Sequence, residues 1–229
     1  MATYILSPKE VISDLLRETI DDPRQTREST NSETFSSGAT EYQLTATTGS
    51  VQSITSLTIG GISKIKWKDY YWNQQSQKVI LPNPASGEVI VNYKQGTGWI
   101  YPDKPHKKLS ENSFPRINVL KAAGVSTRLG QYNSPMEETI GLQVDFWVKE
   151  GFIFTDHNGI KWANGKLAEY LVIKAKKALS DNENKLFSYG YSLRIPTSDR
   201  DLPFDEEYQT HHKLFIVEFN SLNEGEITI

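Results

Sequence analysis

Four histidines are the side chains in this chain that could most readily bind a metal ion: His106, His157, His211 and His212. Asp156 precedes His157 and could add a carboxylate. His211 and His212 are neighbours, so on a strand their side chains would point to opposite faces. Metal sites usually use helical pairs three or four residues apart, or Cys and His at fixed spacings, and neither pattern occurs here. We therefore predict no metal site and no cofactor.

Asp145 and Lys149 are the residues closest to a nuclease pattern. Some metal-dependent nucleases place an acidic residue on one strand and an acid-x-Lys triplet on the next, to hold magnesium and position water. Asp103 could be the first acid, but Asp145 and Lys149 lie four positions apart, so the triplet is absent. Strand alternation instead puts Asp145, Trp147 and Lys149 on one face and the apolar residues between them in the core. A nuclease stays an alternative.

Other reaction classes lack their sequence motifs. The chain has no cysteine, which excludes thiol nucleophiles, disulfides and Cys-type zinc sites. It has no G-x-S-x-G elbow for Ser/His/Asp catalysis, no P-loop and no dinucleotide-binding fingerprint. We therefore predict that the protein is not an enzyme.

Charge and hydropathy favour neither nucleic acid nor membrane as a general partner. The formal net charge is −3 over 229 residues, too balanced for non-specific attraction to anionic partners. A local basic cluster could touch phosphates, although a solvated linker is the commoner explanation: Lys104, His106, Lys107, Lys108 and Arg116. No apolar run approaches the roughly 20 residues of a spanning helix, and the N-terminus is no secretory signal. We expect a soluble protein, made in the cytoplasm.

Four aromatic residues cluster in the segment KIKWKDYYWNQQ: Trp67, Tyr70, Tyr71 and Trp72. Such a group could bind a carbohydrate or a host protein. It could also form the core and rim of a small β-domain, and we favour that interpretation.

The first helix has clear start and stop signals. Ser7 can cap it, Pro8 suits the first helical position, and Glu10 completes a capping box. Asp21-Asp22-Pro23 ends it, because the residue before proline avoids the helical region. A polar segment, 24–40, then predicts a linker or an extended surface segment.

Residues 41–96 change to a β-rich composition with frequent turns, typical of a sandwich or barrel. Gly60-Gly61 is a hairpin signal. The predicted strands are Tyr42–Thr47, Val51–Ile59, Ile62–Trp67, Lys78–Leu81 and Glu88–Tyr93. A second polar connection, 97–114, follows.

The C-terminal half alternates strands and a helix. Strands Pro115–Leu120 and Thr139–Lys149 flank a polar loop, and a turn covers Gly151–Gly159. Asn164 caps a helix that runs to about Leu179. Further strands are predicted at Leu186–Ile195 and His211–Phe219, joined by an acidic loop.

These elements predict an α+β fold, with an antiparallel or mixed sheet flanked by two helices and an inserted small all-β domain. The first helix cannot bury its apolar stripe alone, and the C-terminal unit is its most economical partner. We therefore predict a discontinuous domain, 1–30 plus 97–229, interrupted by a β-rich domain, 31–96.

This order of elements resembles a known family. An N-terminal amphipathic helix is followed by the strand Phe114–Val119, the long strand Ile140–Val148, a helix of the type Leu167-Ala168-Glu169-Tyr170-Leu171, and two closing strands. The pattern is similar to tail terminator (tail completion) proteins of long-tailed bacteriophages and archaeal tailed viruses. It covers roughly residues 5–22 and 114–220 and is a pattern of elements with weak local motifs. The β-rich insertion departs from compact members of the family.

The resemblance implies a virion structural protein in the tail or neck, assembled in the host cytoplasm. Members form a hexameric ring that caps the tail tube, so the implied partners are other copies, the tail tube protein and the head–tail connector. DNA would pass through the lumen without sequence-specific binding. Another neck or connector protein between head and tail is an alternative within this class. A carbohydrate- or host-binding module is an alternative function of another class.

Contact residues cannot be transferred from the family, because no invariant motif anchors them. Long polar loops in compact domains are usually functional or disordered, and we therefore expect contacts in 121–138 and 196–210. The candidate subunit and partner contacts lie in these loops or on the strands beside them: Arg116, Arg128, Asp145, Trp147, Lys149, Arg200, Asp201 and Asp205.

Overall fold

The computed structural model describes residues 3–5, 7–25, 27–102, 113–128, 136–188, 191–194, 199–221 and 226–228. Within these ranges the fold is α+β, with three helices and several antiparallel or mixed sheets. The chain divides into two compact units. Unit 1 comprises Met1–Leu6, Gln25–Gly98 and Glu226–Ile229, and unit 2 comprises Ser7–Arg24 and Trp99–Gly225.

Unit 1 is built from β-strands within the described residues. One sheet has the strand order β2-β8-β4-β5, a second has the order β3-β7-β6, and β1 pairs with β17. Its strands are β1 (Thr3–Ile5), β2 (Glu28–Phe35), β3 (Glu41–Gln43), β4 (Ser50–Ile59), β5 (Ile62–Lys64), β6 (Tyr71–Asn73), β7 (Lys78–Ile80), β8 (Val89–Gly96) and β17 (Glu226–Thr228).

Segment 24–40 was predicted to be a linker or an extended surface segment, and over β2 the second description is confirmed while the first is wrong. All eight residues of Glu28–Phe35 pair antiparallel with β8. Its side chains are polar because β2 is an edge strand with no fully buried face. Strand β2 therefore forms because its backbone pairs with β8, and its own sequence has no alternation of apolar residues that would predict it.

Two features of unit 1 limit its strands. The predicted strand Ile62–Trp67 ends at Lys64, and beyond it Trp67 adopts a positive φ of 65°, which an extended strand does not allow. Gly96 ends β8 at a φ of 136°, where an added Cβ would lie 1.9 Å from the carbonyl oxygen of Arg27. Only glycine fits at this position.

Unit 2 contains the helices and the largest sheet. That sheet has the order β14-β16-β11-β10-β9, and β15 also pairs with β16. Its elements are α1 (Pro8–Thr19), β9 (Ile100–Tyr101), β10 (Arg116–Arg128), β11 (Met136–Lys149), β12 (Ile153–Thr155), β13 (Lys161–Ala163), α2 (Asn164–Asp181), α3 (Glu183–Ser188), β14 (Tyr191–Arg194), β15 (Arg200–Asp201) and β16 (Thr210–Ser221).

One face of this sheet forms the core of unit 2. Phe146 stacks on Phe215 with 5.6 Å between ring centroids, and the ammonium of Lys176 on α2 lies 5.6 Å from the centre of the Phe215 ring. Helix α1 packs against β9 and β10. Arg17 of this helix donates from Nε and Nη2 to the carbonyl of Ile100, at 3.0 and 2.6 Å. Both helices therefore cover the apolar side of the strands.

The predicted loop 121–138 is wrong where the structure describes it. Strands β10 and β11 extend into this segment, pairing from Ala123–Gly141 out to Arg128–Met136, past a bulge after Lys121. β11 is paired on its other edge by β16. Ala123, Gly124 and Glu138 belong to residue types that are depleted in strands, so this ladder follows from the register of the strands that it extends rather than from local propensity.

The predicted strand Leu186–Ile195 is also wrong at its start. Residues Glu183–Ser188 form α3, which buries Leu186, and the strand begins only at Tyr191. The turn predicted at Gly151–Gly159 includes β12, and part of the acidic loop forms β15. These strands are too short for a sequence pattern to reveal them.

Two helix caps differ from prediction. Ser7 occupies the N-cap of α1 and Pro8 follows it, but no side-chain capping hydrogen bond forms. Ala163, not Asn164, is the N-cap of α2. Asn164 accepts a 2.9 Å bond from the Gly151 N–H, so its side chain is used to hold the preceding turn.

Candidate functional site

The face of the main sheet opposite the helices carries a group of polar side chains, here called the polar stripe. Cross-strand register sets its rows. His212, Trp147 and Arg116 form one row across β16, β11 and β10. The next row consists of Arg200 on β15, Leu214 on β16, Asp145 on β11, Asn118 on β10 and Tyr101 on β9. Thr210 and Lys149 form the row on the other side.

Arg116 is a buried cation without an ion-pair partner among the described residues. It is 6% exposed. Its Nε donates to Oδ1 of Asn118 at 2.7 Å, and its guanidinium lies 4.0 Å from the centre of the Tyr101 ring. Burial lowers the pKa of Arg116, and Tyr101 opposes that effect. A buried charge is costly unless it is well compensated, so this position is unusual for a purely structural residue.

Asp145 is the acidic residue of the stripe and is 3% exposed. Its Oδ1 accepts a 2.7 Å hydrogen bond from the amide of Gln143. Nε2 of His212 lies 3.4 Å from the same oxygen, without the geometry of a hydrogen bond. The His212 ring instead stacks on Trp147. The carboxylate is therefore enclosed rather than displayed.

Several buried polar atoms of the stripe have no hydrogen-bond partner in the structure. They are Nδ2 of Asn118, Nε1 of Trp147, Nε2 of His212 and Oγ1 of Thr210. Most buried polar groups in folded proteins are paired, so an unpaired group calls for an explanation. Four such atoms cluster on this one sheet face, which makes the stripe a candidate site for contact with a partner.

Five of the eight predicted contact residues lie on the stripe face, and Asp201 and Asp205 do not. Arg116, Asp145 and Trp147 are central, while Lys149 and the exposed Arg200 lie at its borders. Asp201 faces the helix side, where its carboxylate lies 2.8 Å from the ammonium of Lys213. Asp205 belongs to a turn, and the side chain of Arg128 lies outside the described residues.

The sequence did not single out Asn118, His212 or Thr210 as members of the stripe. Alternation assigns each to a face of its own strand, but only pairing of β16 with β11 brings His212 opposite Trp147. His211 faces the other way, as alternation predicts, and bonds to Glu150. The register between β11 and β16 cannot be read from a local motif, because the two strands are far apart in the sequence.

Burial and hydrogen bonding count against two interpretations, namely the aromatic cluster as a carbohydrate- or host-binding patch and Asp156 as a metal ligand. Trp67, Tyr70 and Trp72 are buried in unit 1, so these aromatics form core rather than a displayed binding patch. Asp156 is buried, and its carboxylate accepts bonds from the N–H groups of Asn158 and Ile160 and from the Trp162 indole. These donors lower its pKa, with the Trp162 bond the largest cause.

Comparison with known proteins adds no assignment. No protein-family model matches the chain, and no curated protein or solved structure matches it. In the part of the chain that the structure describes, no group of three or more His, Asp or Glu residues is arranged to hold a metal ion. No helix among the described residues is long and apolar enough to cross a membrane.

Proposed function

We propose that this protein is a virion structural protein that forms a ring at the head-proximal end of a tail tube. The ring would end tube growth and join the tail to the head connector. The subunits would associate head to tail, through different surfaces, and the rotation between them would close the ring. Related neck positions are the nearest alternative within this class.

The order of elements in unit 2 supports the proposal. Helix α1 precedes β10 and β11, then α2 and the closing strands β14 and β16 follow. The same order, helix, strands, helix, strands, is the basis of the resemblance to tail terminator proteins. Many α+β domains share this order, and unit 2 adds to it a structural feature suited to assembly.

That feature is the length of the β10–β11 hairpin. Its strands have 13 and 14 residues, against a mean of roughly 5–6 in globular proteins. Strand β9 pairs with β10 only at Ile117 and Asn118. Among the described residues, β10 from Ala123 to Arg128 pairs with β11 and with no second strand. A long edge of this kind is suited to pairing with another chain.

The proposal names three kinds of partner. Neighbouring copies would meet through the β10–β11 hairpin, the tail tube protein would meet one face of the ring, and the connector would meet the other. DNA would pass through the lumen without sequence-specific contacts. The formal net charge of −3 is compatible with a lumen that does not bind DNA strongly. The mature location would be the tail or neck of the virion.

The test is the size of the assembled particle, measured by sedimentation and by electron microscopy with the tail tube protein present. We expect hexameric rings and tubes that stop growing when the protein is added. Arg128→Glu reverses a charge within the β10–β11 hairpin and should weaken ring formation, whereas Lys68→Glu on unit 1 should not. Persistent monomers in the presence of assembling tubes would contradict the proposal.

A further inference from the structure

Three neighbouring side chains of the polar stripe, here called the donor group, are Arg116, Asn118 and Trp147. Arg116 and Trp147 are directly opposite each other in the β10–β11 ladder, and Asn118 follows Arg116 on the same face of β10. Side chains at opposite positions have Cβ atoms roughly 5 Å apart, so the three are close neighbours. A guanidinium, an indole N–H and the nitrogen of a side-chain amide donate hydrogen bonds and cannot accept them. These atoms therefore need acceptors.

Most of these donors have no acceptor in the part of the chain that the structure describes. Nδ2 of Asn118 and Nε1 of Trp147 are buried and unpaired. Arg116 donates from Nε to Oδ1 of Asn118 at 2.7 Å, and neither of its Nη atoms makes a hydrogen bond to a described residue. The same bond fixes the orientation of the Asn118 amide, because a guanidinium can pair only with the amide oxygen. Nδ2 is therefore the amide atom that is left to donate.

The donor group also carries a positive charge without a balancing negative charge. Arg116 is buried and has no ion-pair partner among the described residues. Asp145 lies opposite Asn118, but its Oδ1 accepts from Gln143 at 2.7 Å. Within the described ranges, this carboxylate makes no ion pair with Arg116 and no hydrogen bond with Asn118. A bound anion would supply both the missing charge and the missing acceptors.

We infer that the donor group binds a carboxylate. The two Nη atoms of Arg116 suit the two oxygens of a carboxylate, which arginine binds as a bidentate pair. The nitrogens of Asn118 and Trp147 supply further donors. The neighbouring charge of Asp145 disfavours a doubly charged phosphate, and the guanidinium disfavours a cation. An apolar ligand would leave the donors unpaired.

The donor group lies just below the surface of unit 2. Asn118 is fully buried and Arg116 is nearly so. The rings beside them, those of Tyr101, Trp147 and His212, belong to partly exposed residues. The carboxylate therefore enters from the side of these rings, on a small organic acid or at the end of an acidic side chain of a partner. Burial at this depth excludes an extended polyanion such as nucleic acid.

The indole N–H resonance of Trp147 reports binding in two-dimensional nitrogen–proton NMR spectra of the wild type. Trp147→Phe assigns that resonance among the 5 tryptophans of the chain. Sodium acetate should shift it downfield to saturation, beyond the change that sodium chloride causes at the same ionic strength. Acetamide, which is neutral and of similar shape, should give no saturating shift. Acetate that acts only as sodium chloride does would overturn the inference, because a buried water that paired these donors would not respond to acetate.

Variants locate the bound charge. Arg116→Met should weaken acetate binding by at least about tenfold, because it removes a charged bidentate donor. Lys68→Met, which removes an exposed lysine of unit 1, should leave the binding unchanged. Asp145→Asn removes the neighbouring negative charge and keeps an oxygen for Gln143, so it should tighten acetate binding. Circular dichroism checks that each variant is folded. Acetate binding of undiminished affinity in folded Arg116→Met would contradict the inference.

A blocked peptide with a single glutamate distinguishes the two sources of the carboxylate. A shift of the Trp147 resonance by this peptide, and none by the matched glutamine peptide, would assign the site to an acidic side chain of a partner. A shift by acetate and by neither peptide would assign it to a free organic acid. Both results support carboxylate binding. The inference does not rest on ring formation, because the measurement uses the isolated chain.

Discussion

The ring of His212 lies against the indole of Trp147, with 3.9 Å between ring centroids and 20° between ring planes. The two residues are directly opposite each other in the β11–β16 ladder. Stacking holds the rings in place while Nε1 of Trp147 and Nε2 of His212 remain without hydrogen bonds. The polar stripe is therefore positioned by aromatic packing more than by polar pairing.

Two replacements of His212 distinguish the stability that its ring gains by stacking on Trp147 from the stability that its imidazole nitrogens contribute. His212→Phe keeps a ring on Trp147 and removes an unpaired nitrogen, so we expect the free energy of unfolding to stay within about 1 kcal/mol of the wild type. His212→Ala removes the stacked ring and should lower it by about 2 kcal/mol. Urea unfolding measures both. Equal losses in the two variants would show that the imidazole nitrogens, not the ring, stabilise this position.

Arg116 offers a test of whether the stripe is structural. Replacing a buried, poorly paired charge by an apolar side chain of similar length is often neutral or stabilising. Arg116→Met should therefore not lower the free energy of unfolding, whereas Arg116→Ala should lower it by about 2 kcal/mol through the cavity that it leaves. If Arg116→Met also abolishes assembly, the guanidinium serves contact with a partner. A large loss of stability in Arg116→Met would contradict this account.

Tyr93 and Glu33 predict a dependence of stability on alkaline pH. The Tyr93 hydroxyl donates to Glu33 at 2.5 Å and accepts from Asn31 at 3.1 Å. Burial, followed by the Glu33 bond, raises the pKa of Tyr93 to about 12. The folded state holds this proton more tightly than the unfolded chain. Its contribution is therefore complete below the ordinary tyrosine pKa of about 10 and is lost as the pH rises through about 12.

Tyr93→Phe is the matching variant. It removes the hydroxyl and should lower the free energy of unfolding by about 1–2 kcal/mol at neutral pH. Chemical unfolding at a series of pH values should show the difference from the wild type shrinking above pH 10, because only the wild type loses the contribution. A difference that stays constant to pH 12 would rule out the proposed proton linkage.

The ion pairs of Asp199 should give the free energy of unfolding a dependence on acidic pH that is smaller than the alkaline effect of Tyr93. Its carboxylate accepts from Lys176 at 2.9 Å and lies 3.6 Å from the ammonium of Lys213. The Lys176 bond is the largest cause that lowers the pKa of Asp199, and burial opposes it. Its contribution is therefore present above the ordinary aspartate pKa and is lost as the pH falls through the lower folded value. Asp199→Asn should cost roughly 0.5 kcal/mol at neutral pH, since solvent screens the pair, and nothing in strong acid.

Replacing Gly96 and Gly165 by alanine should change the free energy of unfolding in opposite directions. Gly96→Ala places a Cβ against the Arg27 carbonyl at a positive φ, and should lower the free energy of unfolding by about 3 kcal/mol. Gly165 lies in α2, and an added Cβ would meet only Nδ1 of His211, at 3.6 Å. Gly165→Ala should therefore raise it by about 0.5–1 kcal/mol. Thermal unfolding of both variants gives the comparison.

The parts that the sequence determined by itself depend on local periodicity. Helical spacing marked α1 and α2, and the alternation around Val144, Phe146 and Val148 separated a buried face from a polar one. Short-range physics is enough here, because side-chain direction repeats every 3.6 residues in a helix and every two in a strand. The α+β class follows from the same patterns.

Tertiary structure alone decided the elements with little pattern of their own. Strand β2 is polar and exists because β8 offers its edge, and Leu186 belongs to a helix because that helix buries it. The polar stripe likewise depends on register between β10, β11 and β16. Asn118, Trp147 and His212 become neighbours only when these strands pair, and no segment of the chain contains that information locally.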